Sequence, residues 1–224
     1  VETHPREPFL SLLFPFLRAL SRQDATIPAK LLTPALRDAI AAIFRANDDP
    51  HVLQEMAEFL TDAIPCLPAG TGVNLAGIFG GLLAALHAAS VNETAKIETF
   101  LRCIHAAVRN DETHTILTLL GLPAALLRLL NTFSSHYGLV EEILGTLGDL
   151  LDTSDIAAIF VMEDCSRALF TCQGVWKKDV SILTHTLKLL GSLGSLCEKS
   201  LEGVSVQEIK SFLALAQNDD GTVV

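Results

Sequence analysis

HVLQEMAEFLTDAI (residues 51–64), ETAKIETFLRCIHAA (93–107), GLVEEILGTLGDLL (138–151) and SILTHTLKLLGSLGSL (181–196) align under one another. Each carries a central apolar residue, and these anchors, Leu60, Ile104, Leu147 and Leu190, stand 44, 43 and 43 residues apart. Within residues 94–109, Ile97, Phe100, Leu101, Ile104, Ala107 and Val108 recur at the spacing that puts them on one face of a helix. A helical unit of this length cannot bury its apolar face alone. It stacks on its neighbours, so the period predicts an all-α solenoid.

The unit extends on both sides of the anchor helix. Asn110-Asp111-Glu112 breaks the helix of residues 94–109, and a short helix is predicted over 113–120. Gly121 permits the left-handed backbone that ends it, and Pro123 opens the next helix, over 124–133. The following unit repeats the order, with a long helix over 139–151 and a turn at Asp152-Thr153-Ser154-Asp155 whose Ser and Asp are candidate caps. Short helices follow over 156–162 and 164–171, then a turn at Gln173 to Lys178 that carries Trp176. A last helix is predicted over 179–199. Gly77, Gly80 and Gly81 lie in an apolar stretch between Gly70 and Val91 that reads as a buried, closely packed helix.

Two short helices and a longer third, joined by a Gly or Asp kink and repeated near 43 residues, resemble the armadillo repeat. Residues 116–130, ILTLLGLPAALLRLL, resemble that family's first-to-second helix join. LGTLGDL (144–150) and LKLLGSL (187–193) resemble its third helix. The resemblance covers roughly residues 28–224 and implies a right-handed superhelical solenoid of three-helix repeats, with HEAT repeats of similar length as the alternative. Residues 1–27, with the apolar run Phe9–Leu20 interrupted by Pro15, are expected to cap the array.

The resemblance also implies that the third helices line a concave binding face. Two residues after each anchor come Asp62, Ala106, Asp149 and Ser192; one turn earlier come Glu58, Arg102, Gly145 and Lys188; a further turn earlier come Gln54, Glu98, Glu141 and Thr184. These positions are mostly polar between apolar flanks, as an exposed row requires. Glu58, Asp62, Glu98, Glu141 and Asp149 make the row mostly acidic, which favours a protein partner with a basic segment. The small residues Ala106, Gly145 and Ser192 would leave hollows for a partner's side chain. Importin-type armadillo proteins hold basic peptides on a ladder of Trp and Asn. The equivalent positions here carry neither residue.

Composition narrows the function further. Half of the 224 residues are apolar and the formal net charge is −10. That charge disfavours nucleic acid and anionic membrane surfaces, and no apolar run is long enough to predict insertion into a bilayer. The five cysteines, Cys66, Cys103, Cys165, Cys172 and Cys197, show no C-x-x-C spacing and read as free thiols of a reducing, cytoplasmic compartment. Seven scattered histidines form no metal-ligand pattern, and H-E-x-x-H, G-x-S-x-G and P-loop motifs are absent from the sequence. No cofactor is implied.

The expected function is therefore non-enzymatic: a cytoplasmic scaffold or adaptor of a eukaryotic cell that binds a peptide or helix. A transport receptor for cargo with a basic signal and a cytoskeleton-associated array are the alternatives. The chain starts at Val1 without Met and reads as an excised fragment or a processed product. Residues 216–224 echo residues 45–53, which predicts that the array continues past Val224.

Overall fold

A computed structural model describes residues 7–46, 49–67 and 75–197, together with Lys210. The echo between residues 45–53 and 216–224 falls largely outside them. Among the described residues there are twelve α-helices and no strand. The chain divides into two compact units, Val1–Leu122 and Pro123–Val224.

The first unit contains α1 (Glu7–Gln23), α2 (Ile27–Leu31), α3 (Pro34–Ala46), α4 (Pro50–Ala63), α5 (Ala76–Ala88), α6 (Thr94–Val108) and α7 (Asp111–Leu119). A single 3-10 turn, Ile64–Cys66, follows α4. Two rows of helices pack side by side. The long helices α1, α4 and α6 form one, with α4 in the middle, and α3, α5 and α7 form the other. The apolar face of α4 disappears completely: Val52, Met56, Ala57, Phe59 and Leu60 are inaccessible to solvent. Burying a Phe or Leu side chain contributes roughly 1.5–3 kcal/mol, so this central helix holds the unit together.

Local chemistry sets where the helices start. Asp49 caps α4 by accepting from the backbone N–H groups of His51 and Val52, and Pro50 sits at the first helical position, where its missing N–H costs nothing. Helix α1 runs through Pro15 without a break. At the join of α6 to α7 the buried Thr113 hydroxyl donates to the Asn110 carbonyl at 3.0 Å and also to that of Ala107. Both carbonyls also accept backbone N–H groups, Ala107 from Asn110 and Asn110 from His114, so the hydroxyl reinforces a join that the backbone already makes.

Of Gly77, Gly80 and Gly81, one explains close packing. A Cβ on Gly81 would lie 2.8 Å from the Ala41 carbonyl oxygen on α3, whereas Gly77 and Gly80 face open space. The helix itself is shorter than the stretch, spanning Ala76–Ala88.

The second unit contains α8 (Leu122–Thr132), α9 (Tyr137–Leu150), α10 (Ser154–Met162), α11 (Cys165–Val175) and α12 (Val180–Leu196). Helices α9 and α12 pack together, and α10 and α11 pack with each other and against α12. Thr153, rather than Ser154 or Asp155, caps α10 by accepting from the Ile156 N–H; Asp155 instead lies in the first turn, where it faces the positive end of the helix dipole. Helix α11 runs four residues beyond the predicted end at Thr171 and includes Gly174. The turn is consequently confined to Trp176–Asp179, and Asp179 caps α12 by accepting from Ile182 at 2.9 Å.

Candidate interaction surface on the long helices

The four anchors turn inward. Leu60, Ile104 and Leu147 have no solvent exposure and Leu190 has 9%. With the anchors fixed, the residues two after them and one or two turns before them must face the other way. None of those twelve residues is buried. Gln54, Arg102, Asp149 and Lys188 are exposed, and Glu58, Asp62, Glu98, Ala106, Glu141, Gly145, Thr184 and Ser192 are half-buried. Each unit therefore carries its own outward row, on α4 and α6 in the first and on α9 and α12 in the second.

The carboxylates of the first row are already engaged. Arg18 on α1 donates from Nε to Asp62 Oδ2 at 2.8 Å and from Nη1 to Glu58 Oε2. Arg22 reaches the same Asp62 oxygen at 2.9 Å. Burial pulls the Arg18 pKa down, but the hydrogen bond and charge of Asp62, with those of Glu58, outweigh it and leave the guanidinium held above its usual range. Gln54 donates to the other Glu58 oxygen at 3.0 Å, and Arg102 pairs with Glu98 one turn away. Three arginines thus face three carboxylates in this row, two of them supplied by α1.

In the second row the pattern differs. Glu141 Oε1 accepts from Ser181 Oγ at 2.8 Å and from the Tyr137 hydroxyl at 3.2 Å. Both donors are neutral, unlike the arginines of the first row. Tyr137 stands edge-on to Trp176, ring centroids 5.6 Å apart and planes at 71°. The indole N–H of Trp176 donates to the Ser134 carbonyl at 2.6 Å. Sequence reading singled out Trp176 and Glu141 separately. It missed Tyr137, Ser181 and Asp179, which the fold brings to the same corner, because Ser181 and Trp176 lie 40 and 42 residues from their partners.

Away from this row a cleft of about 380 Å³ opens on α8, lined by Ala124, Leu127, Arg128, Asn131, Thr132 and Glu163. A smaller one beside it adds Asp164, Arg167 and Thr171. Neither includes a row residue. Among the described residues no group of three or more His, Cys, Asp or Glu side chains is placed to hold a metal, and no single helix is long and apolar enough to cross a membrane.

Compared with known structures, the chain matches a designed armadillo repeat protein solved in complex with the peptide (KR)4, with a TM-score of 0.70 and 12% identity over 95% of this chain and 94% of that one. The chain has an armadillo-like repeat fold. A crystal structure of an engineered protein matches with a TM-score of 0.64 and 13% identity over 94% of each chain. No family model matches the sequence, nor does any curated protein.

Within that armadillo-like fold, the kink between the first and second short helices is built twice with a left-handed residue. Gly121 has φ +83° and Asp164, 43 residues later, has φ +56°. The second unit places an aspartate where the first uses glycine, and aspartate is among the few other residues that tolerate this conformation.

Proposed function

We propose that this protein is a non-enzymatic scaffold or adaptor that binds a protein partner along the outward rows of its long helices. The observation that carries the reading is the separation within those helices. Every anchor is buried, and every outward position remains accessible and mostly polar. An array of this kind presents two or three side chains per repeat, and affinity accumulates over successive repeats.

The partner is a peptide or helix with a basic segment. Glu141 is held by neutral donors and Asp149 is exposed on the same helix. The fold is also one on which a designed armadillo repeat protein holds a Lys/Arg peptide. In the first row, Arg18 and Arg22 already supply the cations that such a partner would bring. Attraction for a basic segment is accordingly strongest on α9, which carries Glu141 and Asp149, while the α12 row carries the exposed Lys188. A reducing, cytoplasmic setting fits the five unpaired thiols.

The test is affinity purification from a eukaryotic cytosol with the native chain and with a variant neutralised at Glu58, Asp62, Glu141 and Asp149 by Gln or Asn. Partners that depend on the rows are lost or strongly reduced with the variant. An unchanged set of captured proteins rules out the rows as the binding surface.

A further inference from the structure

We propose that the corner formed by Tyr137, Trp176, Glu141 and Asp179 is a receptor for one arginine side chain of the partner. The proposal deepens the scaffold reading and rests on it: to the row residue Glu141 it adds Tyr137, Trp176 and Asp179, which lie outside the row.

Three observations support the corner. First, it is aromatic and held in place. The Trp176 indole is fixed by its hydrogen bond to the Ser134 carbonyl, and Tyr137 packs edge-on against it while keeping 39% of its surface exposed. A guanidinium is planar and weakly hydrated, so it stacks on such a ring more readily than an ammonium does.

Second, the ring stands beside negative charge. The bonds from Ser181 and Tyr137 to Glu141 both reach Oε1. The second carboxylate oxygen takes neither bond, and the carboxylate is oriented by the two neutral donors. Asp179 caps α12 by accepting from the Ile182 N–H. Arginine is the side chain that combines a stacking plane with a fork of N–H donors for a carboxylate.

Third, two carboxylates lie near enough to act on the phenol. Burial is the main influence that raises the Tyr137 pKa, and the charges that raise it further are those of Glu141 and Asp179. Lys177 and Lys178 follow Trp176 in the turn and are exposed.

Trp176 is the only tryptophan of the chain, so its fluorescence reports on this corner alone. The probes are N-acetyl-arginine amide and the neutral isostere N-acetyl-citrulline amide, titrated into the native chain. Saturable change of Trp176 emission with the arginine probe and none with citrulline is expected. Glu141→Gln, whose amide oxygen can still accept from Tyr137 and Ser181, should weaken the arginine response about tenfold. Tyr137→Leu should weaken it as well, and Tyr137→Phe should restore it. Equal responses to arginine and citrulline, no response to either, or no effect of Glu141→Gln overturns the proposal.

A second arm follows the anisotropy of a labelled Lys/Arg octapeptide, which does not depend on Trp176. Peptide binding without an arginine response at Trp176 rejects the corner and leaves the scaffold reading standing. An arginine response without peptide binding supports the corner and rejects the basic-segment reading of the rows.

Discussion

Arg18 meets Asp62 at 2.8 Å across 44 residues of sequence, the length of one repeat. Arg22 meets the same carboxylate across 40 residues, the separation that also relates Glu141 to Ser181. Helix α1 thus stands to α4 as one long helix stands to the next. It buries Phe14 against Phe59, ring centroids 6.2 Å apart, and lays its arginines on the outward row.

This arrangement predicts a trade between stability and binding. The ion pairs are half-exposed, so replacing Arg18 by Ala should cost about 1 kcal/mol or less. That corresponds to a fall in Tm of about 2–4 °C for a chain of this size, and the difference should shrink in high salt. The same change combined with Arg22→Ala leaves Glu58 and Asp62 without their cations. Affinity for a Lys/Arg octapeptide should then rise, by roughly threefold or more. Thermal melts at two salt concentrations and a peptide titration check the two halves separately.

The kink residues predict an asymmetry. Gly121→Ala meets no neighbouring atom but forces a Cβ onto a left-handed backbone, at about 1–2 kcal/mol. Asp164→Gly relaxes the same conformation and gives the unfolded chain more freedom, and the two effects largely cancel. Its stability should stay within about 0.5 kcal/mol of the native chain. Denaturant unfolding of both variants provides the comparison.

Gly81 gives the opposite kind of effect. Here the backbone angle is ordinary and the space is missing, since Ala41 of α3 stands where a side chain would go. Gly81→Ala should push α3 from α5 and cost about 1–3 kcal/mol, whereas Gly80→Ala, facing open space, should be neutral or stabilising. Equal stabilities of the two variants would contradict the close approach of these helices.

Much of this was legible in the residues. The period of the anchors and the i, i+3, i+4 spacing around them fix both the helices and the faces they bury, because apolar burial is the strongest driving force for folding and is local in register. Gly121 and Pro123 mark their kink for a similar reason: their backbone restrictions act on the spot. Contacts between one repeat and the next were not legible. Arg18 reads as an ordinary charge on a capping helix, and Tyr137 as one more residue before an anchor helix. Their roles depend on which turn of the neighbouring helix lies opposite, and charge–charge and aromatic pairs leave no periodic trace. The acidic count of the first row was readable, while its neutralisation by α1 required the fold.

The thiols divide into two classes. Cys103, Cys165 and Cys172 are buried, which pushes their pKa values up to about 12, 12 and 11. Cys66 and Cys197 are half-buried. At pH 8, iodoacetamide should modify the second pair in the folded protein and reach the first three only on unfolding, as followed by intact mass. The sign for stability follows from the raised values. The native state holds these protons more tightly than the unfolded chain does, so their contribution is complete below about pH 9 and is lost as pH rises toward 12. Unfolding at pH 8 and pH 10.5 should show the protein weaker at the higher value.

The outward rows are the centre of the functional account, and their affinity for a basic peptide tests it most directly. The measurement is the Kd of a labelled Lys/Arg octapeptide at several salt concentrations. It compares the native chain with the variant carrying Glu→Gln at 58 and 141 and Asp→Asn at 62 and 149. The account predicts binding to the native chain that weakens with salt, and at least about tenfold weaker binding with a flatter salt dependence in the variant. Equal affinity and equal salt dependence for the two proteins would contradict it.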